Sequence, residues 1–153
     1  MLMLNSKPKI KNLFNPALYR KAPYTFQGIT VQGDGDEVIF KGTATTSVYN
    51  GFLSAPDVLT NLPEILRGKD VYISVYETGL YNDTLVTFGF YSDNNEAAFL
   101  NTRSTNGVVK VNISSDKTKW WIRASFTKGK TYDERFKIMI SEEPHTEYVP
   151  YKE

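Results

Sequence analysis

Apolar and polar residues alternate along most of this chain with a period of two residues. Val71, Ile73 and Val75 alternate with polar or aromatic neighbours, and the same spacing recurs in later segments of the chain. Because successive side chains of a strand point to opposite faces of its sheet, this pattern predicts strands with one buried and one exposed face. Turn clusters rich in Gly, Asn and Asp separate these strands every 8 to 15 residues or so, a spacing typical of an antiparallel β-sandwich or jelly roll.

The apolar side of each alternating run supplies the predicted core. A shift of one residue would expose the whole apolar set of a strand, so the pattern defines which face is buried. One stretch, Asp57–Leu66, has helix-like spacing, with Leu59 and Leu62 on one face, but Pro63 limits it to a short connector. The residues expected to be buried together are Ile73, Val75, Phe88, Phe90, Val111, Ile113, Ile122, Phe126, Phe136 and Ile138.

The last alternating run is followed by an extended tail. Phe136 and Ile138 lie on one face of the predicted strand, and Lys137 lies on the other. Two prolines in the tail prevent both a helix and regular strand pairing. We therefore expect the chain to leave the sheet and to pack Tyr148 and Tyr151 back onto it.

This ending resembles the last strand of β-sandwich modules, similar to carbohydrate-binding modules, in tail and baseplate proteins of phages that infect Gram-positive hosts. In those modules the segment reads roughly Phe-x-Pro-Met-Ile/Leu-x-x-Gly-x-x-x-Thr-x-Tyr-x-Pro-Tyr. Two further stretches look similar to that family: Gly28–Thr45 resembles its opening hairpin, and Leu62–Tyr76 resembles the entry to a later strand. The residues of the ending that fall on the pattern are Phe136, Met139, Ile140, Thr146, Tyr148, Pro150 and Tyr151.

The resemblance implies an all-β protein, an antiparallel β-sandwich or jelly roll similar to a carbohydrate-binding module. It also implies a non-enzymatic virion protein of the phage tail or baseplate, made in the host cytoplasm, that binds host cell-surface glycans. The alternative is a structural accessory or decoration protein that acts in virion assembly through protein contacts without binding sugar. Both functions imply contacts with other virion subunits, and a homo-oligomer is the expected arrangement in the particle.

Composition narrows the function classes further. The chain has 153 residues, no Cys, and a net charge of +1 from 18 basic and 17 acidic residues. The absence of Cys excludes disulfide scaffolds, thiol catalysis and Cys-ligated zinc. The balanced charge argues against nucleic acid as a partner, and no apolar run is long enough for membrane insertion.

The length predicts a single domain, which we assign to residues 12–153. Residues 1–11 form a basic N-terminal arm that contains Lys7, Lys9 and Lys11. An arm of this length and polarity is too small to fold alone, so we expect it to become ordered only on another chain.

Candidate catalytic residues are few. His145, the single histidine, lies in an acidic tail with no nucleophile-elbow motif elsewhere, so we interpret it as a surface residue. Gly129–Thr131 resembles the last three residues of a phosphate-binding loop. Ala124, however, occupies the position at which that motif requires its first Gly. The acidic pairs at 133–134 and 142–143 point to opposite sides of an extended chain and are expected to be solvated. The sequence thus predicts no catalytic residues and no enzyme activity.

One turn carries a possible cation site. Asp34, Asp36 and Glu37 place three carboxylates within four residues on a Gly-rich turn, and calcium binds flexible sets of oxygen ligands of this type. A plain hairpin turn explains the same residues, because Asp and Gly are favoured in turns for their backbone conformations. No other cofactor is predicted.

Aromatic residues make up 14% of the chain, and several lie opposite the aliphatic side of their strand. Exposed rings flanked by polar groups suit a sugar, and they equally suit a protein partner, since Tyr, Trp and Arg dominate protein interfaces. A third possibility is packing of the rings beneath loops of the same domain. The predicted ligand-binding face consists of Tyr72, Tyr76, Tyr91, Trp121 and Arg123.

Overall fold

The computed structural model describes residues 10–16, 24–52, 60–77, 85–94, 97–103 and 108–152. Within these ranges the chain is almost entirely β-structure, with a 3₁₀ turn at Glu64–Leu66. No helix in the described ranges is long and apolar enough to cross a membrane. The strands are β1 (Tyr24–Phe26), β2 (Ile29–Asp34), β3 (Glu37–Thr43), β4 (Val48–Phe52), β5 (Thr60–Asn61), β6 (Lys69–Glu77), β7 (Leu85–Ser92), β8 (Ala97–Arg103), β9 (Val108–Ile113), β10 (Lys117–Phe126) and β11 (Thr131–Ser141).

These strands form two antiparallel sheets. The larger sheet has six strands in the order β1-β2-β3-β11-β6-β9, and the smaller has the order β4-β10-β7-β8, with β5 paired to β10. The last strand, β11, lies inside the larger sheet, where Phe136 faces Val38 of β3 and Glu77 of β6. The predicted all-β antiparallel sandwich is confirmed.

Side chains from the inner faces of the two sheets form one apolar core. Phe40 of the larger sheet and Phe88 of the smaller are fully buried. Val111 is partly buried against this core, and the side chain of Ile122 lies outside the described residues. The predicted core residues confirmed as buried are Ile73, Val75, Phe88, Phe90, Ile113, Phe126, Phe136 and Ile138.

Tight turns connect the first three strands. Gln27 and Gly28 have φ angles of 51° and 85° between β1 and β2, and Gly35 has φ 62° between β2 and β3. Gly28 also lies against the backbone of β3, because a Cβ placed on it would be 2.1 Å from the carbonyl oxygen of Thr43. Only Gly permits that approach, so this hairpin is held close to the sheet.

The predicted connector is present in its described part. Leu62 and Leu66 are buried in the core, and Arg67 Nη2 donates to the carbonyl oxygen of Leu62 at 2.8 Å. Only a 3₁₀ turn forms here, as expected from a segment that contains Pro63. Residues 57–59 of the predicted connector lie outside the described residues.

Residues 10–16 lie beside the end of β11 and form hydrogen bonds with it. Strand β3 pairs with β11 only as far as Lys137, and beyond that point Leu13 N–H donates to the carbonyl oxygen of Ile140 at 2.7 Å. Asn12 Oδ1 accepts hydrogen bonds from the backbone N–H groups of Phe14 (2.9 Å) and Ile140 (3.2 Å). The chain is thus anchored from Asn12 onward, and residues 1–9 of the predicted arm lie outside the described residues.

Candidate functional site

After β11 the chain runs back across the outer face of the larger sheet, as predicted from its two prolines. We call residues 142–151 the C-terminal strap. Met139 and Ser141 of β11 and Ser74 of β6 face away from the core, yet each is at most 1% exposed. Met139 Sδ accepts a hydrogen bond from the Val149 N–H at 3.3 Å. The strap therefore covers a part of the outer face that would otherwise be solvent-exposed.

His145 attaches the strap to both β6 and β11. Its Nε2 lies 2.5 Å from Ser74 Oγ, and its Nδ1 lies 2.6 Å from Ser141 Oγ. Ser141 Oγ also donates to the carbonyl oxygen of Glu143 at 2.6 Å. His145 is only 4% exposed, and each of its ring nitrogen atoms contacts one of these two hydroxyl groups.

This network assigns the proton positions. Ser141 has one hydroxyl proton, which it donates to Glu143, so its oxygen must accept a proton from His145 Nδ1. Nε2 is then unprotonated and accepts the hydroxyl proton of Ser74. Burial lowers the pKa of His145 below its usual value, although the hydrogen bond with the Glu143 backbone acts in the opposite direction. The imidazole is therefore neutral and holds a fixed tautomer.

The interpretation of His145 as a surface residue is wrong. Its burial arises because the strap folds back onto a strand that is 71 residues away in the sequence. A Ser–His contact also occurs in nucleophilic catalysis, but here both serines are at most 1% exposed. In this arrangement the network leaves a substrate no approach to either hydroxyl, and it acts as an attachment of the strap.

Tyr148 forms a second attachment of the strap. Its hydroxyl donates to Asp36 Oδ2 at 2.7 Å, and its ring meets the Tyr76 ring edge-on, with 5.8 Å between centroids. Lys137 Nζ lies 5.0 Å from the centroid of the Tyr148 ring. Burial, together with the hydrogen bond to Asp36, raises the pKa of Tyr148. Tyr76 faces outward as predicted, but Tyr148 and His145 pack against it, so it is not part of an open surface.

The acidic turn between β2 and β3 is neutralised by basic side chains of β11. Arg135 Nη1 lies 3.3 Å from Glu37 Oε2 and 3.9 Å from Asp34 Oδ2. Lys137 Nζ lies 3.9 Å from Asp36 Oδ1. No group of three or more acidic, His or Cys side chains suited to a metal is found in the described part of the chain. This geometry gives the calcium prediction no support.

A solvent-exposed cluster lies at the opposite edge of the larger sheet, on β6 and β9. Lys110 Nζ lies 6.0 Å from the Tyr72 ring centroid and 3.5 Å from Asp70 Oδ2. Asn112 Nδ2 donates to Asp70 Oδ1 at 2.9 Å. The hydrogen bond from Asn112, and next the charge of Lys110, lower the pKa of Asp70. We call Asp70, Tyr72, Lys110 and Asn112 the edge patch.

The remaining predicted binding residues lie in the smaller sheet. Trp121 is 2% exposed, so the prediction that it projects into solvent is wrong. Its ring contacts the Tyr91 ring at a centroid distance of 5.8 Å, and it faces Gly89 across the strand pair. Arg123 lies on the same strand as Trp121, and its side chain is outside the described residues.

The five predicted residues consequently do not share one exposed face. Tyr72 and Tyr76 belong to β6 of the larger sheet, whereas Tyr91, Trp121 and Arg123 belong to β7 and β10 of the smaller sheet. The alternating pattern identifies which side of a strand is apolar but does not identify the sheet that contains it. A single aromatic platform is therefore excluded.

Sequence reasoning also missed several polar residues that the fold buries. Asn12, Ser74 and Ser141 are at most 1% exposed, and all three hold terminal segments of the chain in place. Glu134 was predicted to be solvated with Asp133, but it is 1% exposed. The spacing contained a signal for Glu134, because it lies between Tyr132 and Phe136 on the inward side of β11.

No family model and no curated protein matches this chain. The crystal structure of accessory secretory protein 1, 2 and 3 in Streptococcus pneumoniae matches with a TM-score of 0.52 and 13% identity, over 93% of this chain and 100% of the matched chain. The Glycosylation Associate Protein (Gap123) complex from Streptococcus agalactiae matches with a TM-score of 0.52 and 16% identity, over 88% of this chain and 45% of that chain. The chain shares their fold.

These matches correct the identification as a phage tail or baseplate module. Both of these matched structures are of streptococcal accessory secretory or glycosylation-associated proteins, and neither is a virion protein. The short motifs behind the identification consist of strand and turn residues that unrelated β-sandwiches also require. The predicted virion function is therefore wrong, both as host-glycan binding and as virion assembly, and the predicted virion location is wrong with it.

Proposed function

We propose that this chain is a non-enzymatic β-sandwich subunit that acts by binding other proteins in a multi-protein assembly. The observation that carries the proposal is the extent of one structural match. The structural match covers 93% of this chain and 100% of a chain in the structure of accessory secretory protein 1, 2 and 3. The second match is also to a complex. A whole domain of this shape thus serves in assemblies of several proteins, which supports the same role here.

The described geometry supports a binding function more than a catalytic one. His145, the single histidine, is buried between two serines and is used to attach the strap. The carboxylates of the β2–β3 turn are occupied by Arg135 and Lys137. General acid–base and nucleophilic chemistry require such groups to reach a substrate, and these groups are committed to internal contacts.

The edge patch is the surface to which we assign partner binding. The side chains of Lys110 and Asp70 are 57% and 49% exposed, and the half-buried Tyr72 lies beneath Lys110. The patch lies on β6 and β9, and β9 is the last strand of its sheet in the described part of the chain. An outer strand can extend its sheet with a strand from a partner. Tyr is also among the residues that contribute most to protein interfaces.

Cross-linking of the tagged full chain in the cells that carry its gene, followed by mass spectrometry, tests the proposal. We expect one or a few proteins in fixed ratio, with cross-links that involve Lys110. Tyr72→Ala combined with Lys110→Ala should weaken binding of the purified partner by roughly thirtyfold, as expected when an interface hot spot is truncated.

The matched control is Lys41→Ala combined with Asp133→Ala. These two exposed residues also face each other across a strand pair of the larger sheet, but their strands, β3 and β11, do not pair with β9. We expect the control variant to bind the partner normally. A full chain that remains monomeric and uncross-linked in its native cells would overturn the proposed function, and equal loss in both variants would overturn the assignment to the edge patch.

A further inference from the structure

The C-terminal strap is attached through the only histidine of the chain, and that histidine is enclosed. We propose that the strap is a pH-sensitive cover, which leaves the outer face of β6 and β11 when His145 becomes protonated. Release would uncover Tyr76 and Met139, an aromatic and apolar surface that the strap now occupies.

The hydrogen-bond geometry opposes protonation while the strap is bound. In the neutral ring, Nδ1–H donates to Ser141 and Nε2 accepts from Ser74. Protonation turns Nε2 into a donor, so the Ser74 hydroxyl would have to rotate and send its proton elsewhere. Ser74 is only 1% exposed, and a buried hydroxyl that loses its acceptor is costly. An imidazolium is thus poorly accommodated at this position.

The groups that face His145 offer the imidazolium little compensation. They are hydroxyl groups from β6 and β11, the Tyr76 ring from β6, and the backbone of Glu143 within the strap. Among the described residues, none of the groups in contact with His145 is a carboxylate. Of the nearby carboxylates, Glu142 pairs with Lys69 at 2.6 Å, and Asp36 of the β2–β3 turn pairs with Tyr148 and Lys137. Glu143 and Glu147 of the strap are exposed.

The strap can leave without disturbing the sheet. It begins with exposed residues at 142–144, after the last paired residue of β11, which is Ser141. Its remaining attachments are the Glu142–Lys69 ion pair and the Ser141–Glu143 hydrogen bond at its start, and the Tyr148 and Val149 contacts near its end. Asn12 Nδ2 also donates to the carbonyl oxygen of Val149 at 2.9 Å. A segment with few buried contacts opens locally at lower free energy than the core. Docking also buries the Tyr76 hydroxyl without a hydrogen-bond partner among the described residues.

The direction of the pH effect follows from burial. With the strap docked, burial lowers the pKa of His145 from its ordinary value of 6.5, whereas the released strap regains that value. The equilibrium constant for docking of the strap is therefore highest above about pH 6.5. Below that pH it falls about tenfold for each pH unit. The fall stops once the pH drops below the pKa of the docked state.

Hydrogen exchange of the Val149 amide, measured from pH 7.5 to pH 5.0 as a protection factor, tests the proposal. This amide belongs to the strap and donates to Met139 Sδ. We expect its protection to fall by up to tenfold per pH unit between about pH 6.5 and the lower pKa of the docked state, while backbone amides of β3 keep theirs. In the His145→Gln variant the amide side chain can both donate and accept but does not titrate, so protection of Val149 should not vary with pH.

A second measurement keeps the test decisive if His145→Gln does not fold. The pKa of His145 can be read by NMR in the intact chain and in a synthetic peptide of residues 142–152. We expect a lower pKa in the intact chain than in the peptide. An equal or higher pKa in the intact chain, or constant Val149 protection across the pH range, would overturn the proposal. The same fall in protection in the His145→Gln variant would also overturn it.

Discussion

The indole of Trp121 lies directly against Gly89, the residue that faces it on the neighbouring strand β7. A Cβ placed on Gly89 would be 2.5 Å from Trp121 Cε2. Cβ atoms essentially never approach atoms of another residue within 3.0 Å, so the absence of a side chain at residue 89 is what allows the indole to lie against the strand. Burial of Trp121 therefore depends on Gly89.

The first prediction is a specific coupling between these two residues. Gly89→Ala should destabilise the fold by about 1 to 3 kcal/mol, because the new methyl group overpacks the site. Trp121→Ala should cost about 3 to 5 kcal/mol, as for other buried aromatic residues. In the Trp121→Ala background the Ala at position 89 has room, so we expect Gly89→Ala to cost little there.

Denaturant unfolding of the wild type, both single variants and the double variant measures this coupling. The expected interaction energy is about 1 kcal/mol or more in favour of the double variant. Simple addition of the two single costs would show that the indole does not depend on the Gly. A Trp121→Ala variant as stable as the wild type would show that Trp121 is exposed.

The outcome for Trp121 illustrates what the sequence can and cannot predict. Alternation placed Trp120 and Trp121 on opposite faces, and Trp120 is in the core. Outer faces are polar only where solvent reaches them, and the pattern around Trp121 carried no information on what covers it. Gly89 was the available signal, since a Gly inside a strand often marks close approach of another group.

The alternation of apolar and polar residues predicts the core well. Substitution of Phe136 tests this predicted burial. Phe136 is 1% exposed and packs at the centre of the larger sheet, so Phe136→Ala should cost about 3 to 5 kcal/mol. Asp133→Ala, an exposed change on the same strand, should stay within about 0.5 kcal/mol. Thermal and denaturant unfolding of both variants provide the comparison, and equal stability of the two would contradict the burial of Phe136.

The terminal attachments could not be predicted, because they join residues distant in sequence. Asn12 contacts residues 126 to 137 positions later, and His145 contacts Ser74 across 71 positions. Single polar residues in a short segment carry no periodicity, and their burial depends on the path of another segment. The phage identification failed for a related reason, since short strand motifs recur in unrelated β-sandwiches.

Asn12 is predicted to stabilise both ends of the chain at once. Its side chain bonds the backbone of Phe14, Ile140 and Val149, and it is 1% exposed. Asn12→Ala leaves these three backbone groups without their partner, each at a cost of about 1 to 3 kcal/mol, so we expect a total loss of about 3 kcal/mol or more. Lys11→Ala, its exposed neighbour, is the control and should change stability very little.

Hydrogen exchange separates a local effect of Asn12→Ala from a global one. We expect the amides of Leu13, Ile140 and Val149 to lose protection more than those of β7. Uniform loss across both sheets would mean that Asn12 acts only on global stability. No loss in any of them would show that its hydrogen bonds do not contribute.

The last prediction concerns Tyr148 and has two parts, one on stability and one on its dependence on pH. Tyr148→Phe keeps the ring against Tyr76 and Lys137 but removes the hydrogen bond to Asp36. A hydrogen bond to a charged acceptor contributes about 1.5 to 3 kcal/mol, and Asp36 retains Lys137, so we expect a loss near the lower end of that range.

Because the pKa of Tyr148 is raised in the folded chain, its hydroxyl stabilises the fold below about pH 10 and progressively less above it. Unfolding measured from pH 8 to pH 11 should therefore show the wild type losing its advantage over Tyr148→Phe as the pH rises. A constant difference between the two proteins over that range would contradict the buried, hydrogen-bonded position of the Tyr148 hydroxyl.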